Sequence, residues 1–163
     1  MKKLTIIIWP GFLILLLVFL YYNLVFRDAN VKGIIPFEFA NAVNGKELLD
    51  QWNTAGLLSI ACWMVILDFA YICFYVTIII TLSNRQIRKE PSIGLNALLR
   101  ANFFFAFFAG FLDVVENIGL LYNIHYWKTS YFNVSLFAWL KFILIGWTIF
   151  ILLLSFIKSK IAT

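Results

Sequence analysis

The sequence predicts an all-α integral membrane protein, a four-helix transmembrane bundle, on the strength of three observations. Of the 163 residues, 63% are hydrophobic and only 13% are charged, whereas soluble domains are about half apolar and about a quarter charged. So few charged side chains cannot cover the core of a soluble monomer. The apolar residues also fall into four runs, each long enough for a helix to cross the ~30 Å hydrocarbon core of a bilayer. We expect a single transmembrane domain over residues 1–163.

The four predicted spans are Leu4–Phe26, Ala55–Leu82, Ala101–Tyr122 and Val134–Ile157. Each is longer and more continuously apolar than a barrel strand, which alternates over about ten residues. Because a segment in lipid must satisfy its own backbone hydrogen bonds, we expect each span to be a helix. The first span follows Met1-Lys2-Lys3 with no small-residue cleavage site after it, so we interpret it as an uncleaved signal anchor.

Basic residues are divided unevenly between the two sides of the predicted bundle. The side of the N-terminus carries Lys2, Lys3, Arg85, Arg88, Lys89, Arg100, Lys158 and Lys160, and the opposite side carries Arg27, Lys32, Lys46 and Lys128. Because Lys and Arg are enriched in cytoplasmic loops, this bias predicts a multi-pass protein with both termini in the cytoplasm. The net charge of +5 then reflects topology and contact with anionic lipid headgroups, and we expect no nucleic-acid partner.

The cysteines and the histidine disfavour several kinds of chemistry. Cys62 and Cys73 lie in one predicted helix, about 16 Å apart along its axis, which is too far for a disulfide. The absence of a C-x-x-C pair disfavours thiol oxidation. His125 is the only histidine, so haem ligation by two histidines of one chain is excluded, and no cluster of residues has metal-ligand spacing. We predict no cofactor and no metal site.

Four ionisable residues interrupt the spans: Asp68, Asp113, Glu116 and Lys141. A charged group at the bilayer centre costs at least about 2.5 to 3.5 kcal/mol on insertion scales, so such groups normally face the protein interior. All four lie about 20 to 25 Å from the basic residues at the N-terminal side, at the ~1.5 Å rise of a helix. The sequence therefore predicts one polar layer in the outer half of the bilayer.

Further polar and small residues share helix faces with this layer. Asn117 follows Glu116 and continues the Asp113 face at i, i+3 and i+4, and Tyr71 and Tyr75 follow Asp68 at i+3 and i+7. Small residues that allow a close helix approach precede Asp113 on the same face: Ala106, Ala109 and Gly110.

Two alternatives stay open for the layer. Three acids and one lysine sum to −2 if all are ionised, so either a carboxyl is protonated or a cation or ligand supplies the balance. Lys141 either pairs with the acids or extends along its helix to the interface. The acids themselves either bind a ligand or form a structural network that fixes helix register.

The loop Arg27–Thr54 is predicted to form short amphipathic helices that cover the outer mouth of the bundle. Pro36 suits the first position of a helix, and Asn44-Gly45 is a helix stop signal. Lys46–Trp52 then forms an amphipathic segment on the membrane surface. Glu38 either reaches the polar layer or stays solvated between two membrane-anchoring phenylalanines.

Three motifs resemble a widespread group of uncharacterised bacterial four-span integral membrane proteins. They are Gly33-Ile34-Ile35-Pro36-Phe37-Glu38-Phe39-Ala40 with Trp52, Leu67-Asp68-Phe69 with Tyr75, and Asp113-Val114-Val115-Glu116-Asn117. The resemblance covers the chain from the outer loop through the third span. It implies a location in the bacterial inner membrane and brings no substrate and no catalytic residue.

The leading functional hypothesis is the binding of a small amphipathic or lipid-like molecule in an acid-lined pocket in the outer half of the bundle. The candidate ligand-binding residues are Asp68, Tyr71, Tyr75, Asp113, Glu116, Asn117, Lys141 and Glu38. Three other functions stay open: a proton- or cation-coupled transporter, a lipid-modifying enzyme that uses a carboxyl pair, and a structural or accessory subunit. Membrane lipids are the expected partners, and a homo-oligomer is compatible with the sequence.

Overall fold

The protein is all-helical over the residues that the computed structural model describes. These are residues 2–127 and 134–161, with side chains described at 7–41, 43–127 and 134–159. The helices are α1 (Lys2–Asp28), α2 (Ile34–Glu38), α3 (Ala42–Thr54), α4 (Leu58–Ile87), α5 (Ile93–Tyr126) and α6 (Val134–Ile161). Helices α1, α4, α5 and α6 are each long and apolar enough to span a membrane, so the predicted all-α bundle with four membrane-spanning helices is confirmed. Four lysines used in the charge count lie outside the described side chains: Lys2, Lys3, Lys128 and Lys160.

The long helices extend beyond the apolar runs that predicted them. Helix α5 begins at Ile93, after Ser92 at its N-cap, and ends where Trp127 adopts a left-handed conformation with φ 55°. Helix α4 begins later than predicted, because Gly56 turns the chain with φ 69° before Leu58. Hydropathy marks the part of a helix that lies in lipid, whereas capping and turn residues determine where the helix itself begins and ends.

Helix α5 is the centre of the bundle and packs against both α4 and α6. In the most apolar stretch of α5, half of the residues are buried, compared with 6% in that of α1. Helix α1 packs mainly against α4. The close approach of α4 to α5 depends on small residues, as predicted: Ala106 and Ala109 are fully buried. A Cβ atom on Gly110 would lie only 2.8 Å from Cγ2 of Val76 on α4.

Helices α2 and α3 cover one end of the bundle, which we call the lid end. Trp52 of α3 is fully buried and donates a hydrogen bond of 2.7 Å from Nε1 to the Lys32 carbonyl oxygen. Its ring contacts Phe26 of α1 and Phe37 of α2, with centroids 5.6 and 4.9 Å away. One aromatic side chain therefore joins three helices and fixes the lid.

Two predictions about the lid were wrong. Asn44-Gly45 does not stop a helix but lies in the first turn of α3, because Asn41 caps that helix: its Oδ1 accepts a 2.9 Å hydrogen bond from the Asn44 backbone N–H. Pro36 is the third residue of α2 rather than the first. The first turn tolerates proline there because its N–H groups have no partner within the helix.

Candidate functional site

Three of the four ionisable side chains of the predicted layer meet at the lid end, where Glu38 joins them. Lys141 Nζ lies 2.7 Å from Asp113 Oδ1, 2.9 Å from Glu116 Oε2 and 3.5 Å from Glu38 Oε2. None of these side chains is more than 11% exposed. We call these four residues the ion cluster. Lys141 thus pairs with the acids, and its alternative, extension to the interface, is wrong.

Three helices contribute the members of the ion cluster. Asp113 and Glu116 lie one turn apart on the buried face of α5, and Lys141 faces them from α6. Glu38 is the last residue of α2, which is held over α6 because Phe39 packs against Trp139 and Phe142, with ring centroids 5.0 and 5.6 Å away.

Glu38 is the member of the ion cluster that the lid contributes. Burial raises the pKa of Glu38 above its usual value, although the nearby Lys141 ammonium favours the ionised form. Its Oε2 atom is buried and receives no hydrogen bond from the described residues. This oxygen contacts Lys141 Nζ at 3.5 Å, so the lid is held to the ion cluster by an ion pair.

A second set of contacts links α4 to α5. The Tyr75 hydroxyl donates to Asp113 Oδ2 at 3.0 Å, so both oxygens of Asp113 have partners. Asn117 Nδ2 donates to Asp68 Oδ2 at 2.8 Å. Asp68 is only partly buried and forms no ion pair with any described side chain. It is thus the one acid of the predicted layer that lacks a cation.

A cavity of about 610 Å³ extends from this layer along the cleft between α1 and α6. Its volume is within the range of about 300 to 1,000 Å³ that is typical of small-molecule sites. Asp68, Asn117 and Glu38 line its lid end, and Leu82 of α4 and Phe156 of α6 line its far end. The remaining lining is mostly aliphatic and aromatic, so the cavity has one polar end and a long apolar part.

The structure brings seven of the eight candidate residues to the cavity wall. These are Glu38, Asp68, Tyr71, Tyr75, Asp113, Asn117 and Lys141. Glu116 is fully buried behind them and does not line the cavity. Neither of its carboxyl oxygens has a hydrogen-bond partner among the described residues, but Oε2 forms an ion pair with Lys141 Nζ at 2.9 Å. Glu116 therefore stabilises the ion cluster instead of facing a ligand.

Sequence reasoning missed one polar residue at the cavity. Asn23 of α1 lines it, close to the backbone of Gly33, where a Cβ would lie 2.7 Å from Asn23 Oδ1. The spacing of residues along α1 could have indicated this position. Asn23 continues the stripe of Phe12, Leu16 and Phe19, which recurs at helical intervals and forms the α1 wall of the cavity.

A buried glutamate at the opposite end of the bundle was also missed. Glu90, in the turn after α4, accepts hydrogen bonds from Lys158 Nζ at 3.1 Å and from the Ser92 backbone N–H at 3.0 Å. Burial opposes ionisation of Glu90, but these bonds outweigh it and lower the pKa of the carboxyl below its usual value. A glutamate in a basic turn resembles a solvated residue, and the only sequence signal was Ser155 and Lys158, one turn apart on α6.

No family model matches the chain, and neither the curated proteins nor the solved structures contain a significant match. No group of three or more His, Cys, Asp and Glu side chains in the described part of the chain is placed to hold a metal ion. The described residues define an all-helical multi-pass membrane protein with a cavity that its four spanning helices line. Chemically, that cavity offers hydrogen-bond acceptors and carboxyl groups at one end and an apolar surface along its length.

Proposed function

We propose that this protein binds a small amphipathic or lipid-like molecule in the cleft between α1 and α6. The observation that carries the proposal is the two-part cavity, with Asp68, Glu38 and Asn117 at the lid end and apolar side chains along the rest. A headgroup would contact the polar end, and a hydrocarbon chain would occupy the apolar part.

The length of the cleft supports a chain-like ligand. Asp68 and Leu82 both line it, and they are separated by about 21 Å along α4 at the helical rise of ~1.5 Å per residue. That distance exceeds the ~15 Å thickness of one leaflet of the hydrocarbon core. A complete alkyl chain of a membrane amphiphile therefore has room in the cleft.

The side of the cleft supports entry from the bilayer. Leu20 on α1 and Leu153 on α6 line the cavity, yet they are 53% and 54% exposed. In a membrane these surfaces contact lipid, so a ligand needs no aqueous path to reach the cleft. Because lipid tails are as apolar as leucine side chains, burying the chain contributes little affinity. Selectivity must then come from the shape of the cleft and from its polar end.

The same proposal includes a location and an orientation. The resemblance of the Pro36, Asp68 and Asp113 motifs to bacterial four-span proteins supports the bacterial inner membrane. The excess of Lys and Arg at the end opposite the lid supports cytoplasmic termini. The lid end and its ion cluster would then lie in the periplasmic leaflet.

Coupled transport is a weaker proposal, because a charged pathway would have to cross the bundle. The next buried polar group on α5 is Asn102, which donates from Nδ2 to the Thr148 carbonyl oxygen at 3.2 Å. It lies about 16 Å along the helix from Asp113, and Ala106, Ala109 and Gly110 occupy the same face in between. These residues offer a proton no side-chain carrier.

The proposal is tested with a neutral probe, a long-chain fatty alcohol that carries a photoreactive diazirine in its chain. The protein is placed in lipid nanodiscs and irradiated, and the labelled peptides are mapped by mass spectrometry. We expect labelling of α1 and α6 residues that line the cleft. In Leu16→Trp the indole fills the cleft, so this labelling falls, whereas in Leu17→Trp it stays, because Leu17 is exposed and outside the cavity.

Equal labelling in wild type, Leu16→Trp and Leu17→Trp would show that the probe contacts the protein only as bulk lipid does, and it would overturn the proposal. Both variants place a tryptophan in the same turn of α1. A general effect of the larger ring on α1 would therefore appear in both, and only occupation of the cleft separates them.

A further inference from the structure

We infer that the headgroup recognised at the lid end is a cationic amine and that Asp68 is the residue that binds it. The inference rests on the proposed function, because it names the chemical class of the molecule in the cleft. Asp68 is suited to this role because the other acids of the layer are already engaged, and because it lies at the boundary between the polar end and the apolar part of the cavity.

The balance of charge at the lid end favours a cation. Lys141 contacts Glu38, Asp113 and Glu116 within 3.5 Å, and Asp68 is a fourth carboxyl with no ion pair among the described side chains. Of the Lys and Arg side chains that the structure describes, Lys141 alone lines the cavity. An anionic headgroup would meet an excess of carboxyl groups with no free cation, which is unfavourable in a site of low dielectric constant.

The hydrogen-bond acceptors at the lid end also favour an ammonium headgroup. Glu38 lines the cavity, but its Oε2 atom is buried against Lys141 Nζ at 3.5 Å, whereas Asp68 lines the cavity and is only partly buried. Among the described residues, Asp68 accepts a side-chain hydrogen bond from Asn117 alone. An ammonium group has three donors and no acceptor, so it complements acceptors that lack donors. A hydroxyl headgroup supplies a single donor and leaves the charge uncompensated.

Aromatic rings line the cavity next to Asp68. Tyr71, one turn further along α4, stacks on Phe12 with ring centroids 4.9 Å apart and meets the Phe19 ring edge-on at 5.4 Å. All three residues line the cavity. The faces of such rings attract cations, and they also pack well against the first methylene groups of an alkyl chain. The wall beside the carboxyl therefore suits an ammonium attached to a hydrocarbon.

The inference is tested with three amphiphiles that share one chain: dodecylamine, dodecanol and dodecanoate. Each competes with the photoreactive fatty alcohol for the protein in nanodiscs of zwitterionic lipid at neutral pH. Concentrations are corrected for partition into protein-free nanodiscs. We expect dodecylamine to compete about tenfold better than dodecanol, the factor that one hydrogen bond to a charged group supplies. We expect dodecanoate to be the weakest competitor.

Asp68→Asn isolates the carboxyl, because its side-chain oxygen can still accept from Asn117. We expect this variant to retain binding of dodecanol and to lose the preference for dodecylamine. Asp68→Glu should keep the preference. The matched control is Asp28→Asn, which removes an acid that is 77% exposed and should behave as wild type.

The outcomes separate the inference from the proposed function. If wild type binds dodecylamine and dodecanol equally, the headgroup inference is overturned while the cleft remains a binding site, and this comparison needs no variant. A preference that persists in Asp68→Asn overturns the role of Asp68. If no amphiphile displaces the photoreactive alcohol from the cleft residues, the proposed function itself fails.

Discussion

At the scale of single residues, Lys141 is the cation that three buried carboxyl groups share. Removing an ammonium and three carboxyl groups from water is costly, and their mutual attraction offsets that cost only when the contacts are short. The distance of 2.7 Å to Asp113 and that of 2.9 Å to Glu116 meet this condition. The cluster therefore ties α5 to α6, and through Glu38 it also ties the lid to both.

Lys141→Met is expected to lower the free energy of unfolding by about 3 to 5 kcal/mol, because it leaves buried carboxyl groups without a cation. The measurement is equilibrium unfolding in mixed detergent micelles, followed by circular dichroism. Combining Lys141→Met with Glu38→Gln, Asp113→Asn and Glu116→Gln should restore much of the loss, since no carboxyl of the ion cluster then lacks a cation. Lys46→Met, at an exposed site, should change stability by less than about 0.5 kcal/mol. A Lys141→Met protein as stable as wild type would contradict this energetic role.

Docking of the lid should depend on pH through Glu38. Its pKa is raised by burial when α2 is docked, so docking is most favourable below the usual pKa of a glutamate. It weakens as the pH rises through the raised value. The docked carboxyl faces Lys141, Asp113 and Glu116. The Lys141 ammonium opposes the rise in the pKa of Glu38, and the Asp113 carboxylate adds to it. We expect the opening free energy of α2, from amide hydrogen exchange, to fall as the pH rises above the usual glutamate pKa of about 4.3.

Glu38→Gln should make that opening free energy independent of pH over the same range, because the amide does not titrate. The matched control is Glu47→Gln, which changes an exposed glutamate of α3 and should keep the wild-type dependence. A Glu38→Gln protein that still opens more readily at high pH would assign the effect to another group.

At the scale of helices, the sequence predicted what depends on local pattern and missed what depends on neighbours. Apolar runs located all four spanning helices, and the i, i+3, i+4 spacing placed Asp113 and Glu116 on one face. The Asn44-Gly45 stop failed because capping by Asn41 outweighed a local turn signal. The depth of Lys141 was predictable, but its partner was not, because depth alone does not specify the rotation of α6 about its axis.

The contact between α4 and α5 yields a prediction about glycine. In Gly110→Ala the new methyl group would lie 2.8 Å from Val76 Cγ2 and 3.3 Å from Ile72 Cγ2, so the helices must separate, at a cost of about 1 to 3 kcal/mol. Gly146→Ala on α6 meets no atom within 4 Å and should be neutral or stabilising by up to about 1 kcal/mol. Unfolding in mixed micelles measures both, and equal stabilities would mean that the close approach contributes nothing.

At the scale of the whole molecule, the proposed binding site is a space between helices. The cleft exists because α1 packs against α4 and leaves room between itself and α6. Nothing in the hydrophobic pattern of either helix specifies that separation, so the cavity was not predictable in shape, although its polar end was predictable in composition. The same geometry explains why α1 is mostly exposed and supplies one wall of the cavity.

Orientation in the membrane decides which leaflet supplies the ligand, and it yields the last prediction. Arg85, Arg88 and Lys89 lie at the end of the bundle opposite the lid, and basic residues are retained in the cytoplasm. We therefore expect Asn44→Cys, at an exposed position in the lid, to react with a membrane-impermeant maleimide added outside intact cells. Lys89→Cys should react only after the membrane is opened. Both variants carry Cys62→Ser and Cys73→Ser so that the new thiol is the only one. If Lys89→Cys reacts in intact cells and Asn44→Cys does not, the ion cluster and the cleft mouth lie in the cytoplasmic leaflet instead.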